Sequence, residues 1–144
     1  MSERFLFDTA VFVYARGTSH PYRAPCRELV EAARTGKLAG EGSVELVQEY
    51  AHLLLRRGLP RRSVRDEARD VAALFRGHDF EEPDLALALG LIADHPALSM
   101  RDCVHAATAL RRGVGLIVSP DRGFDSVPGL ERVDPMGALE RLGG

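Results

Sequence analysis

Short apolar runs alternate along this chain with longer stretches of helical period. Arg4-Phe5-Leu6-Phe7 reads as a short buried strand, and Thr9 to Tyr14 as the start of a helix. A breaker-rich loop follows, Arg16-Gly17-Thr18-Ser19-His20-Pro21. Apolar Cys26, Leu29, Val30 and Ala33 then recur at helical spacing between Tyr22 and Thr35, and Gly36 closes the segment. Leu38-Ala39-Gly40 is short enough to be a second strand. Ser43 supplies an N-cap for a helix reaching Arg57, with Val44, Val47, Ala51, Leu54 and Leu55 as its apolar stripe. Gly58-Leu59-Pro60 breaks that helix, and Ser63 caps another through Val64, Ala68, Val71 and Phe75 to Arg76. Pro83 suits the first turn of a helix over Asp84 to Ala93, and Ser99 opens one that ends near Arg112. Val114 to Ser119 and Glu131 to Val133 read as strands, before Asp134-Pro135 caps a C-terminal helix holding Met136, Leu139 and Leu142.

Strands separated by helices imply an α/β protein with a parallel sheet covered on both faces. No repeat, low-complexity tract or long linker divides the chain, so residues 1–144 are expected to form a single domain. Ligands of such sheets collect at the carboxyl ends of the strands, near a topological switch point.

Four acids fall where one element gives way to the next. Asp8 ends the run Phe5-Leu6-Phe7, and Asp121 follows Leu116-Ile117-Val118 after Ser119-Pro120. Glu49 and Asp102 lie inside expected helices, each bordered by apolar neighbours. Carboxylates brought together repel and raise one another's pKa, and a divalent cation removes that cost. Each acid also has a local explanation. Asp102 can complete a capping box with Ser99, Asp121 can open a turn, and Glu49 can be a solvated helical residue. Asp8 is harder to explain locally, because a bare acid after a buried strand needs a partner. Asp125 is a fifth, lower-ranked candidate, and Glu45 competes with Glu49 for the helical position.

Composition narrows the classes. No apolar run reaches the ~18–20 residues needed to span a bilayer, and Met1-Ser2-Glu3-Arg4 runs straight into a strand with no signal-peptide core. A cytoplasmic protein without membrane contact is expected. Cys26 and Cys103 match neither a zinc pattern nor a disulfide framework and read as free thiols. The formal net charge is −2, which argues against bulk attraction to nucleic acid. Yet only Lys37 among 19 basic residues is a lysine, and Arg56, Arg57, Arg61, Arg62, Arg65 and Arg69 crowd one stretch. Their planar forks suit phosphate; a solvated face or a partner surface explains them equally well.

The pieces Phe7-Asp8-Thr9, Val47-Gln48-Glu49-Tyr50, Arg101-Asp102-Cys103-Val104-His105-Ala106-Ala107 and Ser119-Pro120-Asp121-Arg122-Gly123-Phe124-Asp125 occur in an order and spacing that cover nearly the whole chain. In these the chain resembles PIN-domain ribonucleases of the VapC toxin type, from bacterial or archaeal toxin–antitoxin pairs. The resemblance implies a three-layer α/β/α fold with a short central parallel sheet flanked by helices. It also implies that Asp8, Glu49, Asp102 and Asp121 occupy the metal-binding acidic positions, with Thr9 and Ser119 as hydroxyl neighbours. Mg²⁺ or Mn²⁺ is then the expected cofactor and RNA the substrate, cut to a 5′-phosphate and a 3′-hydroxyl. A cognate antitoxin and a second copy of the chain are the expected partners. Apolar Leu53-Leu54-Leu55 and Leu85-Ala86-Leu87-Ala88-Leu89 suit either partner or the monomer core.

Three rivals remain in view. Glu49-x-x-His52 and Asp102-x-x-His105 resemble the acid-x-x-His pairs of di-metal helix bundles, but strands at both ends argue against that architecture. Aspartyl phosphotransfer lacks support, since Ala10 stands where a dehalogenase-type phosphatase has its second Asp and Lys37 comes too early for a response regulator. A catalytically inert PIN-like module that binds RNA or a partner is the third.

Overall fold

The computed structural model describes residues 3–143. At its centre lies β1 (Arg4–Phe7), paired in parallel with β2 (Ala39–Ser43) on one side and β4 (Leu116–Val118) on the other. Beyond β2 runs β3 (Arg76–His78), and beyond β4 runs β5 (Glu131–Val133), giving the all-parallel order β3-β2-β1-β4-β5. The chain travels outward from β1 through β2 to β3, then returns to build β4 and β5 on the opposite side. The switch point therefore falls between β1 and β4.

Alternation along the strands divides the core in two. Phe5 and Phe7 join Leu116, Val118 and Val133 on one face of the sheet. That face is covered by α1 (Thr9–Arg16), α2 (Arg23–Arg34), α3 (Val44–Arg56), α4 (Arg61–Ala72) and α7 (Pro135–Gly143). Leu6 and Ile117 point the other way, beneath α5 (Glu82–Asp94), α6 (Met100–Arg111) and a 3-10 turn (Arg122–Ser126). This is the α/β/α layering expected of the sequence. Full burial of Phe5, Leu6 and Phe7 contributes roughly 1.5–3 kcal/mol per side chain and fixes where β1 ends. Cys26 and Cys103 are both free and buried. Among the described residues no helix is long and apolar enough to cross a membrane.

Four expectations needed adjustment. The strand expected at 38–40 begins at Ala39 and continues to Ser43. Its core-facing pattern is hidden because Glu41 is buried inside an ion pair, with Arg4 Nε at 2.6 Å and His78 Nε2 at 2.7 Å. Gly40 belongs there for a steric reason: a Cβ at this position would collide with the Phe7 ring. The strand β3 went unforeseen, since Arg76-Gly77-His78 is an edge strand with no apolar run. As a result α4 stops at Ala72 rather than Arg76; it also begins two residues before Ser63, at Arg61 after Pro60, whose fixed φ suits a helix start. Finally, α3 buries Leu46, Tyr50 and Leu54, while Val44 and Leu55 face outward. Leu46 and Tyr50 set the phase of that stripe, and Val44 is spent on the first turn.

Candidate active site

The end of β1 places Asp8 at the switch point. Its N–H continues the ladder to Val118 O at 3.2 Å, and its buried side chain caps α1. Ser119, the residue after β4, donates its hydroxyl to Asp8 Oδ2 at 2.5 Å and accepts the Asp121 N–H at 3.0 Å. One serine thus ties two of the acids together across the sheet's central seam. Asp121 in turn accepts from Gly123 N at 2.8 Å and caps the 3-10 turn. Asp102 stands in the first turn of α6 in a reciprocal capping box with Ser99, at 3.2 and 3.3 Å. The local explanation of Asp102 is therefore true, and it leads to the cleft rather than away from it. Asp8, Thr9, Glu49, Ser99, Asp102 and Asp121 all line one open cleft of about 650 Å³.

His105, three residues beyond Asp102 and so on the same side of α6, joins the acids from beneath. Its Nε2 lies 3.1 Å from Thr9 Oγ1, 3.7 Å from Glu49 Oε1 and 3.8 Å from Asp8 Oδ1. The ring is fully buried, so it is a packed hub and not a solvent-facing base. Electrostatics follow from this crowding. Burial drives the Asp8 carboxyl upward against the pull of His105 and Ser119. Burial and the neighbouring charges of Asp8 and Asp121 push Asp102 up to about 6, with Ser99 opposing. Burial also works to raise Glu49, but His105, Thr9 and Arg101 outweigh it and hold that carboxyl below the usual range. For His105, burial favours the neutral ring, yet Glu49, Asp8 and Asp102 prevail and raise its pKa. The site wants more positive charge than this one imidazole provides.

Among the described residues no three carboxylate, imidazole or thiolate groups already stand at closed metal-ligand spacing. The donor set nevertheless fits a hard cation. Asp102 commits only Oδ2 to its cap and Asp121 only Oδ1, while Glu49 Oε2 is buried without a partner. Each of these three acids therefore keeps an oxygen free, and an all-oxygen set is what Mg²⁺ and Mn²⁺ take.

Other candidates lie elsewhere. Asp125 is exposed and clasps Arg132, Nε to Oδ1 at 2.9 Å, outside the cleft. Glu45 and His52 do not line the cleft; they line an adjoining pocket of about 270 Å³ between α3 and α6, which shares Glu49 and Arg101 with it. The helix register thus puts Glu49, and not Glu45, on the cleft. Tyr14, Tyr22, Arg57 and Arg101 also line the cleft, a role that sequence pattern alone had not assigned to them. Arg101 was legible in principle, being one residue from Asp102; Tyr14, on α1, and Tyr22, in the loop before α2, were not, because nothing in the sequence pattern aims either ring at the acids.

The sequence pattern of the PIN domain matches residues 5–130. The chain belongs to the PIN-domain family. It is 34% identical over 149 aligned residues to Ribonuclease VapC7 of Mycobacterium tuberculosis, covering 96% of this chain and 97% of that protein. Ribonuclease VapC23 of the same species is 38% identical over 120 residues, covering 83% and 94%. A solved toxin–antitoxin complex from Klebsiella pneumoniae superposes on 90% of this PIN domain and 96% of its own chain, with a TM-score of 0.66 at 16% identity. That last likeness speaks for the fold, including the five-stranded parallel sheet.

Proposed function

We propose that this PIN domain is a metal-dependent endoribonuclease and the toxin of a toxin–antitoxin pair. The observation that carries the reading is the gathering of Asp8, Glu49, Asp102 and Asp121, from four separate elements, on one cleft at the sheet's switch point. Its VapC relatives are ribonucleases by name, and they align along 96% and 83% of it.

Asp8, Asp102 and Asp121 would hold Mg²⁺ or Mn²⁺, with Glu49 either holding it or orienting a water. Bound there, the cation would supply charge to the phosphodiester oxygens and lower the pKa of a water. The protein's own work is positional. Ser119 fixes the Asp8 carboxylate with a short charge-assisted hydrogen bond. His105 braces Asp8 and Glu49 from below, limiting their mutual repulsion. Arg101 stands on the cleft wall as a cation for the RNA backbone. Asp102, pushed up to about 6, is held in reserve as an anion that a cation brings out fully.

The deciding experiment incubates the protein with structured RNA in Mn²⁺ and compares Asp8→Asn and Asp102→Asn with wild type. Cleavage to 5′-phosphate ends, reduced at least 100-fold by either change, is expected. The rival reading is an inert module, favoured by the fact that Asp8, Asp102 and Asp121 each also serve as local caps. Wild type that neither cuts RNA nor binds Mn²⁺ would establish that rival.

Partners belong to the same proposal. A cognate antitoxin that places a cationic side chain among these acids would displace the metal electrostatically. A second copy would cover the outer face of α5, where Leu85, Leu89 and Ile92 are 44%, 53% and 37% exposed at helical spacing. The cytoplasm, where RNA and antitoxin are both present, is the proposed location.

A further inference from the structure

Three aromatic side chains cluster at one end of the acidic cleft, two of them on its wall. Tyr14 comes from α1, while His20 and Tyr22 come from the loop before α2. The Tyr14 ring lies 4.6 Å from that of His20 and 5.5 Å from that of Tyr22, and His20 stacks on Tyr22 at 5.5 Å with 26° between planes. Tyr14 and Tyr22 line the cleft that holds the four acids. A second groove of about 530 Å³ continues it, with Tyr14, His20 and Arg57 on its walls. Val13, Tyr14 and Arg57 belong to both, so the two spaces share a boundary.

The charge changes along this path. Acids line the first space, whereas no Asp or Glu among the described residues lines the second. Arg16 is neutralised by Glu67 at 2.5 Å, but Arg57 is exposed and makes no ion pair among the described residues. A purely structural role accounts for part of the cluster: His20 Nδ1 accepts the Tyr22 N–H at 3.1 Å, which pins the loop. It does not account for an exposed His20 ring and an unpaired guanidinium on one groove. Aromatic faces beside an arginine are what sequence-tolerant single-strand binding uses.

We propose that Tyr14, His20, Tyr22 and Arg57 form a stacking subsite for an unpaired RNA base flanking the scissile phosphate, with Arg57 on the neighbouring backbone phosphate. The inference rests on the ribonuclease reading and adds to it where the strand leaves the acids. A base seated on the rings orients the phosphodiester by one fixed nucleotide spacing, so the subsite sets the position of cleavage and leaves base identity free. Stacking also requires an unpaired nucleotide, which selects loops over duplex.

The test uses short single-stranded RNAs with 2-aminopurine at successive positions, whose fluorescence is quenched by stacking. They are titrated into the full chain carrying Asp8→Asn, so that bound strands stay intact. Quenching confined to one or two adjacent positions is expected. His20→Ala and Tyr22→Leu should raise Kd about tenfold and restore fluorescence, while Tyr22→Phe retains both affinity and quenching. Arg57→Gln should flatten the salt dependence of log Kd by roughly 0.7. Because Tyr14 and Tyr22 also pack on the core, the exposed His20 carries the decision if the tyrosine variant unfolds. RNA bound and cut by wild type, but bright at every position and held equally by His20→Ala, overturns the subsite alone. The subsite falls equally if the variants weaken a protein partner and leave RNA affinity intact. Quenching at the rings by a wild-type protein that cuts no RNA in Mn²⁺ overturns the nuclease reading and leaves the subsite standing.

Discussion

Replacing Asp102 by Asn should stabilise the metal-free protein while abolishing its activity. Burial, Asp8 and Asp121 together raise this carboxyl from 3.8 to about 6, so at neutral pH it remains mostly charged but its ionisation costs more in the fold than in the unfolded chain. Roughly two pKa units correspond to about 3 kcal/mol, and the cleft's opening to water reduces that to about 1–2 kcal/mol. The sign follows from proton linkage. A carboxyl whose folded pKa lies above its unfolded one destabilises the fold at high pH, and that penalty disappears as pH falls from above 6 toward 4. Asn removes the charge yet keeps an oxygen to accept the Ser99 N–H, so the cap of α6 survives. For a chain of 144 residues the gain should appear as about 3–6 °C in Tm, measured by calorimetry in EDTA at pH 7.5. Mn²⁺ at about 100 times its Kd should then raise wild-type stability by about 2.7 kcal/mol and the variant's by far less. A lower Tm for the variant in EDTA, or equal Mn²⁺ stabilisation of both proteins, would refute the electrostatic account.

Three further outcomes are expected. Gly40→Ala should cost about 1–3 kcal/mol in urea denaturation, because the added methyl meets the buried Phe7 ring. Glu41 should carry part of the acid lability: burial opposes its ionisation, but Arg4 above all, and His78, hold its carboxyl below the ordinary 4.5. Its contribution is therefore complete above about 4.5 and lost as pH falls through the lower folded value, and Glu41→Gln should flatten the stability profile in that acid range. If the proposed second copy covers the exposed α5 face, Leu89→Arg at its centre should leave the chain monomeric in light scattering while changing the monomer's stability by no more than about 0.5 kcal/mol.

How much of this was legible in the sequence depended on where the chemistry sat. The strand at 4–7, the capping Ser43 and Ser99, and Gly36 with its positive φ all announce themselves locally. Because Asp8 and Asp121 follow strands that became β1 and β4, their approach could be anticipated from parallel-sheet topology. What remained hidden depends on partners distant in sequence. β3 exists because it pairs with β2, not because Arg76-Gly77-His78 favours extension. Glu41 is buried only because Arg4 and His78 meet it there. The hub role of His105 requires Thr9 and Glu49 to converge on it from two other helices. The ring cluster forms where the loop carrying His20 and Tyr22 folds back on Tyr14 of α1, and that loop carries no periodic signal.

Anomalous diffraction from crystals soaked in Mn²⁺ tests the convergence of the acids most directly. The account predicts a peak in the cleft within ligand distance of Asp8, Asp102 and Asp121 oxygens, extinguished by Asp8→Asn. A cleft without manganese at saturating concentration, or a peak held by residues outside it, would contradict the claim.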